Sequence, residues 1–197
     1  MDSVKRPVFV RPVGLLLVAA LLAFCASGCG KSRSDDRTVT EKLMNDYMTA
    51  LCAYNIKNMN RSSLTAFDQY GDSDAVIASC RELASHITWE IEDISISGNT
   101  AIAQVTLTQP IDYEAICSEA LDEAMRQIGK SEEPRSAELL ADAIRLAARK
   151  SDAVQTPVEI PLSKVDNQWR VAKTHAVDSI LSNIRTSVAA VYAYLDM

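Results

Sequence analysis

Apolar residues recur at spacings of three and four in several stretches of the chain, and this period predicts helices that each bury one face. The first helix is expected to begin at the capping box Thr38–Glu41 and to continue to about Lys57. A second helix is expected after Ser73, a favourable N-cap residue. Two more apolar stripes within residues 112–150 predict a helical hairpin, and residues 176–196 predict a closing helix.

Between these helices the apolar and polar residues alternate, which is the period of a half-buried β-strand. Residues 89–107 predict a β-hairpin, and a change of parity near Glu92–Asp93 indicates a β-bulge. Residues 158–171 predict a second hairpin, in which Pro161 indicates an edge strand or a bulge. The sequence therefore predicts one α+β domain over residues 38–197, with an antiparallel sheet.

The first 28 residues follow a third pattern, that of a secretory signal. Basic residues come first, and residues 13–24 are all apolar or glycine. This run is shorter than the roughly 20 helical residues that cross a bilayer, which favours a cleaved signal over a permanent anchor helix. Small residues follow the run and lead directly to Cys29.

The segment Ala26-Ser27-Gly28-Cys29 resembles the lipobox of bacterial lipoproteins. This resemblance implies cleavage between Gly28 and Cys29 and attachment of a diacylglycerol, with acyl chains such as palmitate, to the Cys29 thiol. Two acyl chains hold a protein on a membrane, whereas one does so only marginally. The mature protein is then expected in the cell envelope, anchored to the outer face of the cell membrane, or to the outer membrane of a Gram-negative cell. Residues 29–37 are polar and are expected to form a flexible tether.

The charge of the chain excludes several classes of partner. Its formal net charge is −6, without a basic stripe, which argues against nucleic acid as a partner and against docking on anionic lipid headgroups. Three cysteines remain in the domain, Cys52, Cys80 and Cys117, and none has the close spacing of a zinc site. They are expected as small buried hydrophobic residues. A Cys80–Cys117 or Cys52–Cys80 disulfide remains open in an exported protein.

No combination of residues in the sequence indicates catalysis, a cofactor or a metal. The two histidines of the chain, His86 and His175, are expected at helix termini without a partner placed by spacing. Glu90 and Glu92 share one strand face, which favours a solvated surface over a carboxylate pair. No catalytic, cofactor-binding or metal-binding residue is therefore predicted.

Aromatic residues are expected in the core, although they could also line a pocket for an apolar or ring-bearing ligand. The domain contains Tyr47, Tyr54, Trp89, Tyr113 and Trp169 in predicted helices and strands. The segment 58–72 between the first two helices is polar and turn-prone, and Leu64, Phe67 and Tyr70 are its expected packing anchors.

The order of elements resembles the NTF2-like superfamily, also called cystatin-like, and more narrowly uncharacterised lipoproteins of Gram-positive bacteria built on that fold. Three stretches support the resemblance: residues 47–59, 94–101 and 167–171. It implies a cone of helices packed on a curved antiparallel sheet, with residues 112–150 as a helical insertion. It also implies a pocket between the sheet and the first helices.

Some members of that superfamily are isomerases or dehydratases, but none of their catalytic motifs matches residues of this chain. The sequence therefore favours a non-enzymatic, membrane-anchored module that binds a small ligand, an envelope polymer or a partner protein. An NTF2-like enzyme acting on a small organic substrate is the alternative. A structural role is a third interpretation, in which the final helix forms a dimer seam through Val177, Ile184, Val188, Val191 and Leu195.

Overall fold

The computed structural model describes residues 30–128 and 136–195. The predicted signal segment and the predicted lipidation site Cys29 lie outside the described residues, as do residues 129–135 within the predicted helical hairpin. The chain divides into two units, Met1–Thr38 and Val39–Met197. The sheet, the core and the cavity described below belong to the second unit.

Within the described residues the chain forms six helices and four strands. The helices are α1 (Gly30–Cys52), α2 (Ile56–Ser62), α3 (Asp74–Ala84), α4 (Tyr113–Ile128), α5 (Ser136–Lys150) and α6 (His175–Leu195). The strands are β1 (Thr88–Ser97), β2 (Thr100–Pro110), β3 (Ala153–Val165) and β4 (Gln168–Val171). The strands pair antiparallel in the order β1-β2-β3-β4, which confirms the predicted α+β class.

One face of the sheet packs into the hydrophobic core and the other is polar. The inward residues of β2, β3 and β4 are each at most 7% exposed; they are Ala101, Ala103, Val105, Leu107, Val158, Ile160, Leu162, Trp169 and Val171. On the outer face Gln104 donates a hydrogen bond to Glu159 over 3.0 Å. The predicted bulge is confirmed, because the β1–β2 register shifts between Ile91 and Asp93. Gly98 allows the tight turn between β1 and β2, where its φ is +60°.

Pro161 lies in a strand with a neighbour on each side, since β3 pairs with β2 and β4. The prediction of an edge strand is therefore wrong for β3 as a whole. Pairing with β4 covers only Leu162–Val165, however, so the preceding part of β3 has β2 alone as its partner. The carbonyl of Pro161 accepts from Ala172 N over 2.8 Å on the β4 side. The missing N–H of the proline points to that same side and breaks no bond to β2.

The first helix differs from the prediction at both ends. It begins at Gly30, so the expected capping box lies inside the helix, and residues 30–37 are helical instead of a flexible tether. Once a helix is nucleated, each added residue gains one hydrogen bond, so polar residues without proline extend it readily. The helix ends at Cys52 instead of Lys57, and the separate helix α2 starts at Ile56.

The other helices agree with the sequence pattern. Ser73 caps α3, because its hydroxyl accepts from Val76 N over 3.4 Å. Helices α4 and α5 pack against each other as the predicted helical hairpin. Helix α6 buries Val177, Ile184 and Val188 in the core of its own chain. The dimer-seam interpretation is therefore wrong, since these side chains are not available to a second copy.

Candidate functional site

The unusual feature of the backbone is the turn that ends α1. The amide of Tyr54 donates to the carbonyl of Leu51 over 2.9 Å, and that of Asn55 donates to the carbonyl of Ala50 over 2.8 Å. These two bonds form a Schellman motif, which places Tyr54 in the left-handed region with φ +47°. Glycine usually occupies this position because a bulky side chain is strained there. An aromatic residue stays in this conformation where the surrounding structure holds it there.

The Tyr54 side chain is held in the core. It is only 7% exposed, and the Cys80 thiol of α3 lies near enough to contribute to raising the pKa of its hydroxyl, although burial is the larger cause. Burial is the main reason that the pKa of Cys80 rises to about 12, and burial likewise raises the pKa of Tyr54. Both groups therefore stay protonated near neutral pH. The exposed edge of Tyr54 lines a cavity.

One wall of this cavity is the irregular segment 64–72, which we call the strap. Asn60 fixes its middle, because its side-chain amide donates to the carbonyl of Phe67 over 3.0 Å and accepts from the Phe67 amide over 2.7 Å. The ring of Phe67 is buried and lies 5.1 Å from the ammonium of Lys173. Phe67 is thus the packing anchor that the sequence predicted, whereas Leu64 and Tyr70 are exposed.

Helix α6 holds the far end of the strap through Arg185. Its guanidinium donates two hydrogen bonds of 2.8 Å to the carboxylate of Asp72. The same guanidinium stacks 3.9 Å from the centroid of the Tyr70 ring. These bonds raise the pKa of Arg185 further, with the Asp72 hydrogen bond as the main cause. A bidentate pair with a stacked ring is a geometry that arginine provides and lysine does not.

The cavity between the strap, α2 and α3 has a volume of about 190 Å³. Tyr54, Ile56 and Ile77 form its apolar part, and a smaller cavity of about 80 Å³ adjoins it beside Asp178. A cavity of about 150 Å³ accommodates a benzene molecule in a protein core. The site is therefore large enough for one ring or a short branched chain.

Charged side chains surround the polar part of the cavity. Asp68 and Asp72 come from the strap, Lys57 comes from α2, and Arg81 comes from α3. Asp72 is paired with Arg185. In the part of the chain that the structure describes, neither Lys57 nor Arg81 has a side-chain hydrogen bond or ion pair. The site thus combines an aromatic wall with two exposed cations.

The space between sheet and helices, where the resemblance implies a pocket, is filled by side chains. The inner faces of β2 and β3 are buried throughout, and Trp169 of β4 is 5% exposed. Four of the five aromatic residues that the sequence analysis named are core residues: Tyr47, Tyr54, Tyr113 and Trp169. Tyr54 combines both expectations, because it is a core residue and a pocket wall.

The cysteines that the sequence analysis weighed as disulfide partners are all unpaired thiols in the structure. Cys52, Cys80 and Cys117 are free thiols, so neither open disulfide is formed. Burial raises the pKa of Cys52 to about 11 and that of Cys117 to about 12. Cys80 and Cys117 are buried, as small hydrophobic residues are expected to be. The predicted lipidation and cleavage residues, Cys29 and Gly28, lie outside the described residues.

The histidines and carboxylates lie apart from the cavity. Burial lowers the pKa of His86, which follows the end of α3, and the buried Nε2 of this residue has no hydrogen-bond partner. His175 begins α6 and is exposed, and Glu90 and Glu92 lie exposed on β1. Within residues 30–128 and 136–195 no group of three or more histidine, cysteine or acidic side chains is placed to hold a metal. No helix among those residues is long and apolar enough to cross a membrane.

Sequence reasoning missed the residues that build the cavity. Lys57, Arg81 and Asp72 belong to elements that are separated by turns, and Arg185 lies 113 residues after Asp72. The one local signal was Tyr54-Asn55 at the end of an apolar helical stripe, since asparagine favours helix termination. That signal indicates a turn without indicating that the tyrosine occupies the left-handed position.

Comparison with known proteins gives two distant structural neighbours. No family model matches the chain, and no curated protein matches its sequence. An NTF-2-like protein of unknown function from Shewanella oneidensis MR-1 is 8% identical with a TM-score of 0.36, over 69% of this chain and 98% of that one. YcdA, a candidate lipoprotein of Bacillus subtilis subsp. subtilis strain 168, is 18% identical with a TM-score of 0.37, over 73% of this chain and 46% of that one.

The first neighbour has the fold-family name that the sequence resemblance implies. Scores this low transfer neither a ligand nor an activity. This chain also spans less than half of the second neighbour's length. The α+β class therefore rests on the sheet and helices described above, and any function rests on the geometry of the cavity.

Proposed function

We propose that the protein is a lipid-anchored module of the cell envelope that binds a small ligand in the cavity beside Tyr54. The observation on which this proposal depends is the backbone of Tyr54, which keeps an aromatic ring at the cavity in a conformation that favours glycine. Strained residues of this kind cluster at active sites and at sites that clamp a ligand, which supports a role for this ring at the cavity. The bidentate clamp of Arg185 on the strap supports a cavity that is already formed before the ligand binds.

Binding fits this cavity better than catalysis does. A general acid or base works best when its pKa is near the ambient pH, and burial moves the pKa of Tyr54 and of Cys80 away from neutrality. Neither histidine lines the cavity. The enzyme alternative also requires an open pocket on the sheet, where the described side chains are tightly buried.

Retention of a natural ligand tests the binding role. The full chain is isolated in mild detergent from its own host, and native mass spectrometry measures any mass retained above that of the protein. We expect an adduct on the wild type and its loss in Ile77→Trp, since the larger side chain occupies the cavity. Ile102→Trp is the matched control, because Ile102 is 42% exposed on the outer face of the sheet. A bare mass for wild type and both variants would leave the cavity without a binding role.

Labelling with palmitate tests the lipid anchor, which is predicted from the sequence alone. Cells expressing the full chain are grown with labelled palmitate, and the mature protein is analysed for label and for its N-terminal residue. We expect incorporation in the wild type and in Cys25→Ser, but not in Cys29→Ser, because only Cys29 follows the small residues of the lipobox. Equal labelling of Cys29→Ser would exclude this residue as the attachment site.

A further inference from the structure

Two of the carboxylates around the cavity, Asp72 and Asp178, are paired with cations of helix α6 and of the residues just before it. Arg185 holds Asp72 at 2.8 Å, and Lys173 holds Asp178 at 2.8 Å. Asp68 is near enough to Lys173 to contribute to raising the pKa of that lysine, although the hydrogen bond from Asp178 is the larger cause. Three carboxylates on the strap side thus face two cations, and Asp68 has no cation of its own among these pairs.

The opposite side has two cations without a protein counter-ion among the described residues. Lys57 lies in the first turn of α2 and Arg81 in the last turn of α3, and both line the cavity. A cation in the first turn of a helix is disfavoured by the helix dipole, and α2 has no acidic residue there to compensate Lys57. The whole chain is acidic, with a formal net charge of −6. The position of Lys57 is therefore not explained by helix stability, whereas Arg81 lies at the end of α3 where the dipole favours a cation.

The apolar part of the cavity lies beside these cations. Tyr54 and Ile77 contribute ring and aliphatic surface, and the volume of about 190 Å³ matches one ring with a small substituent. A ligand that has an acidic group next to a compact apolar body would satisfy both parts at once. Arginine donates two parallel hydrogen bonds to a carboxylate or phosphate, and lysine supplies a second point charge.

We infer that the ligand is a small organic anion, whose acidic group lies between Lys57 and Arg81 and whose apolar body lies against Tyr54 and Ile77. This inference rests on the proposed binding role of the same cavity and adds the charge of the ligand. Carboxylate and phosphate share the required chemistry. Neutral and cationic ligands of the same shape bind less tightly, because they leave the two cations unpaired.

Four aromatic probes of similar size test the predicted charge of the ligand. Benzoate, phenyl phosphate, benzyl alcohol and benzylammonium are titrated into the full chain in neutral detergent, and binding is measured by ligand-observed NMR. We expect the two anions to bind in the millimolar range, as fragments of this size do, and at least tenfold more tightly than the alcohol. Benzylammonium is expected to bind least. Comparing the two anions distinguishes a carboxylate ligand from a phosphate ligand.

Two conservative variants test the positions. Lys57→Gln and Arg81→Gln remove exposed charges that have no described protein partner, so the fold is expected to be retained. Each should weaken benzoate binding by roughly tenfold, which corresponds to one charge-assisted hydrogen bond. Lys42→Gln is the matched control, since it removes an exposed lysine that lies outside the cavity. Binding of benzyl alcohol should be equal in all four proteins.

The inference is overturned if benzyl alcohol or benzylammonium binds as tightly as the anions, or if both cavity variants bind benzoate like Lys42→Gln. In that case an adduct in native mass spectrometry that Ile77→Trp removes would still support the binding role. If no probe binds but an adduct is retained, its composition decides, since an acidic group supports the inference and a neutral or basic compound overturns it. Absence of both probe binding and an adduct removes the binding role together with the inference.

Discussion

Replacing Arg185 by alanine tests whether the strap is held by its clamp. The wild-type guanidinium makes two hydrogen bonds of 2.8 Å to Asp72 and stacks on Tyr70. The side chains of Arg185 and Asp72 are 30% and 14% exposed, so the pair is partly shielded from water. Truncation leaves the Asp72 carboxylate poorly solvated and removes the contact with the ring.

The expected loss of stability follows from the degree of burial. Exposed ion pairs contribute about 0–1 kcal/mol, whereas removing one partner of a buried pair costs about 3–5 kcal/mol. This pair lies between the two limits, and the stacked ring adds about 0.5–1 kcal/mol. We therefore expect Arg185→Ala to lower the free energy of unfolding by about 3 kcal/mol. Arg185→Lys keeps the charge but loses the bidentate geometry, so it should lose about half as much.

Urea unfolding of the full chain in detergent, followed by circular dichroism, measures these differences. A shift of the midpoint at constant slope reports stability alone, and the expected change corresponds to a melting temperature lower by roughly 6–12 °C. Arg126→Ala is the matched control, because its i,i+3 pair with Glu123 is exposed, with side chains 66% and 36% accessible. It should change stability by less than about 0.5 kcal/mol.

A double-mutant cycle with Asp72→Asn isolates the pair from other effects of truncation. We expect a coupling free energy of about 1.5–3 kcal/mol between Arg185 and Asp72, consistent with hydrogen bonds between charged groups. If Arg185→Ala were no more destabilising than Arg126→Ala, or if the cycle gave no coupling, the interpretation of Arg185 as a clamp would be wrong.

Three further predictions concern other residues. Tyr54→Gly should be more stable than Tyr54→Ala by about 1 kcal/mol in urea unfolding, since both lose the ring but only glycine relieves the left-handed backbone; equal stabilities would contradict the strain. Because burial lowers the pKa of His86 in the folded chain, the unfolded chain takes up a proton at this residue at a higher pH, near 6.5. The free energy of unfolding should therefore keep its full value above that pH and decrease as the pH falls below it, less steeply in His86→Gln. The raised thiol pKa values of Cys52, Cys80 and Cys117 predict slow alkylation of the native mature protein at pH 8. Unfolding without reductant should then expose three reactive thiols, and a single one would reveal a disulfide.

The sequence predicted those parts of the fold that local patterns report. Periods of 3.6 and 2 reflect which face of an element is buried, so α3, the two hairpins and α6 were identified from apolar spacing. Ser73 was recognised as a cap because the hydroxyl acts on an amide three residues away. The parity change near Asp93 located the bulge for a similar reason, since it concerns neighbouring positions of one strand.

The cavity could not be predicted in this way, because its parts meet only in the folded chain. The clamp joins positions 72 and 185, and no local pattern at either residue indicates the other. The break at Tyr54 was missed because Tyr54 itself continues the apolar spacing of α1, so the predicted helix extended to about Lys57. A tyrosine in a left-handed position also contradicts the residue preference on which turn prediction depends.

The clamp has a consequence for the order in which the site forms during synthesis. The residues that line the cavity lie in the first half of the described chain, whereas Arg185 and Lys173 belong to its last part. A nascent chain therefore has the strap before it has the residues that fasten it, and loops closed over such distances form late. Any truncation that removes α6 would leave the walls of the cavity in the polypeptide but without their fastening. Such a chain would present an unfastened strap to proteases of the quality-control system, which act on segments that open locally.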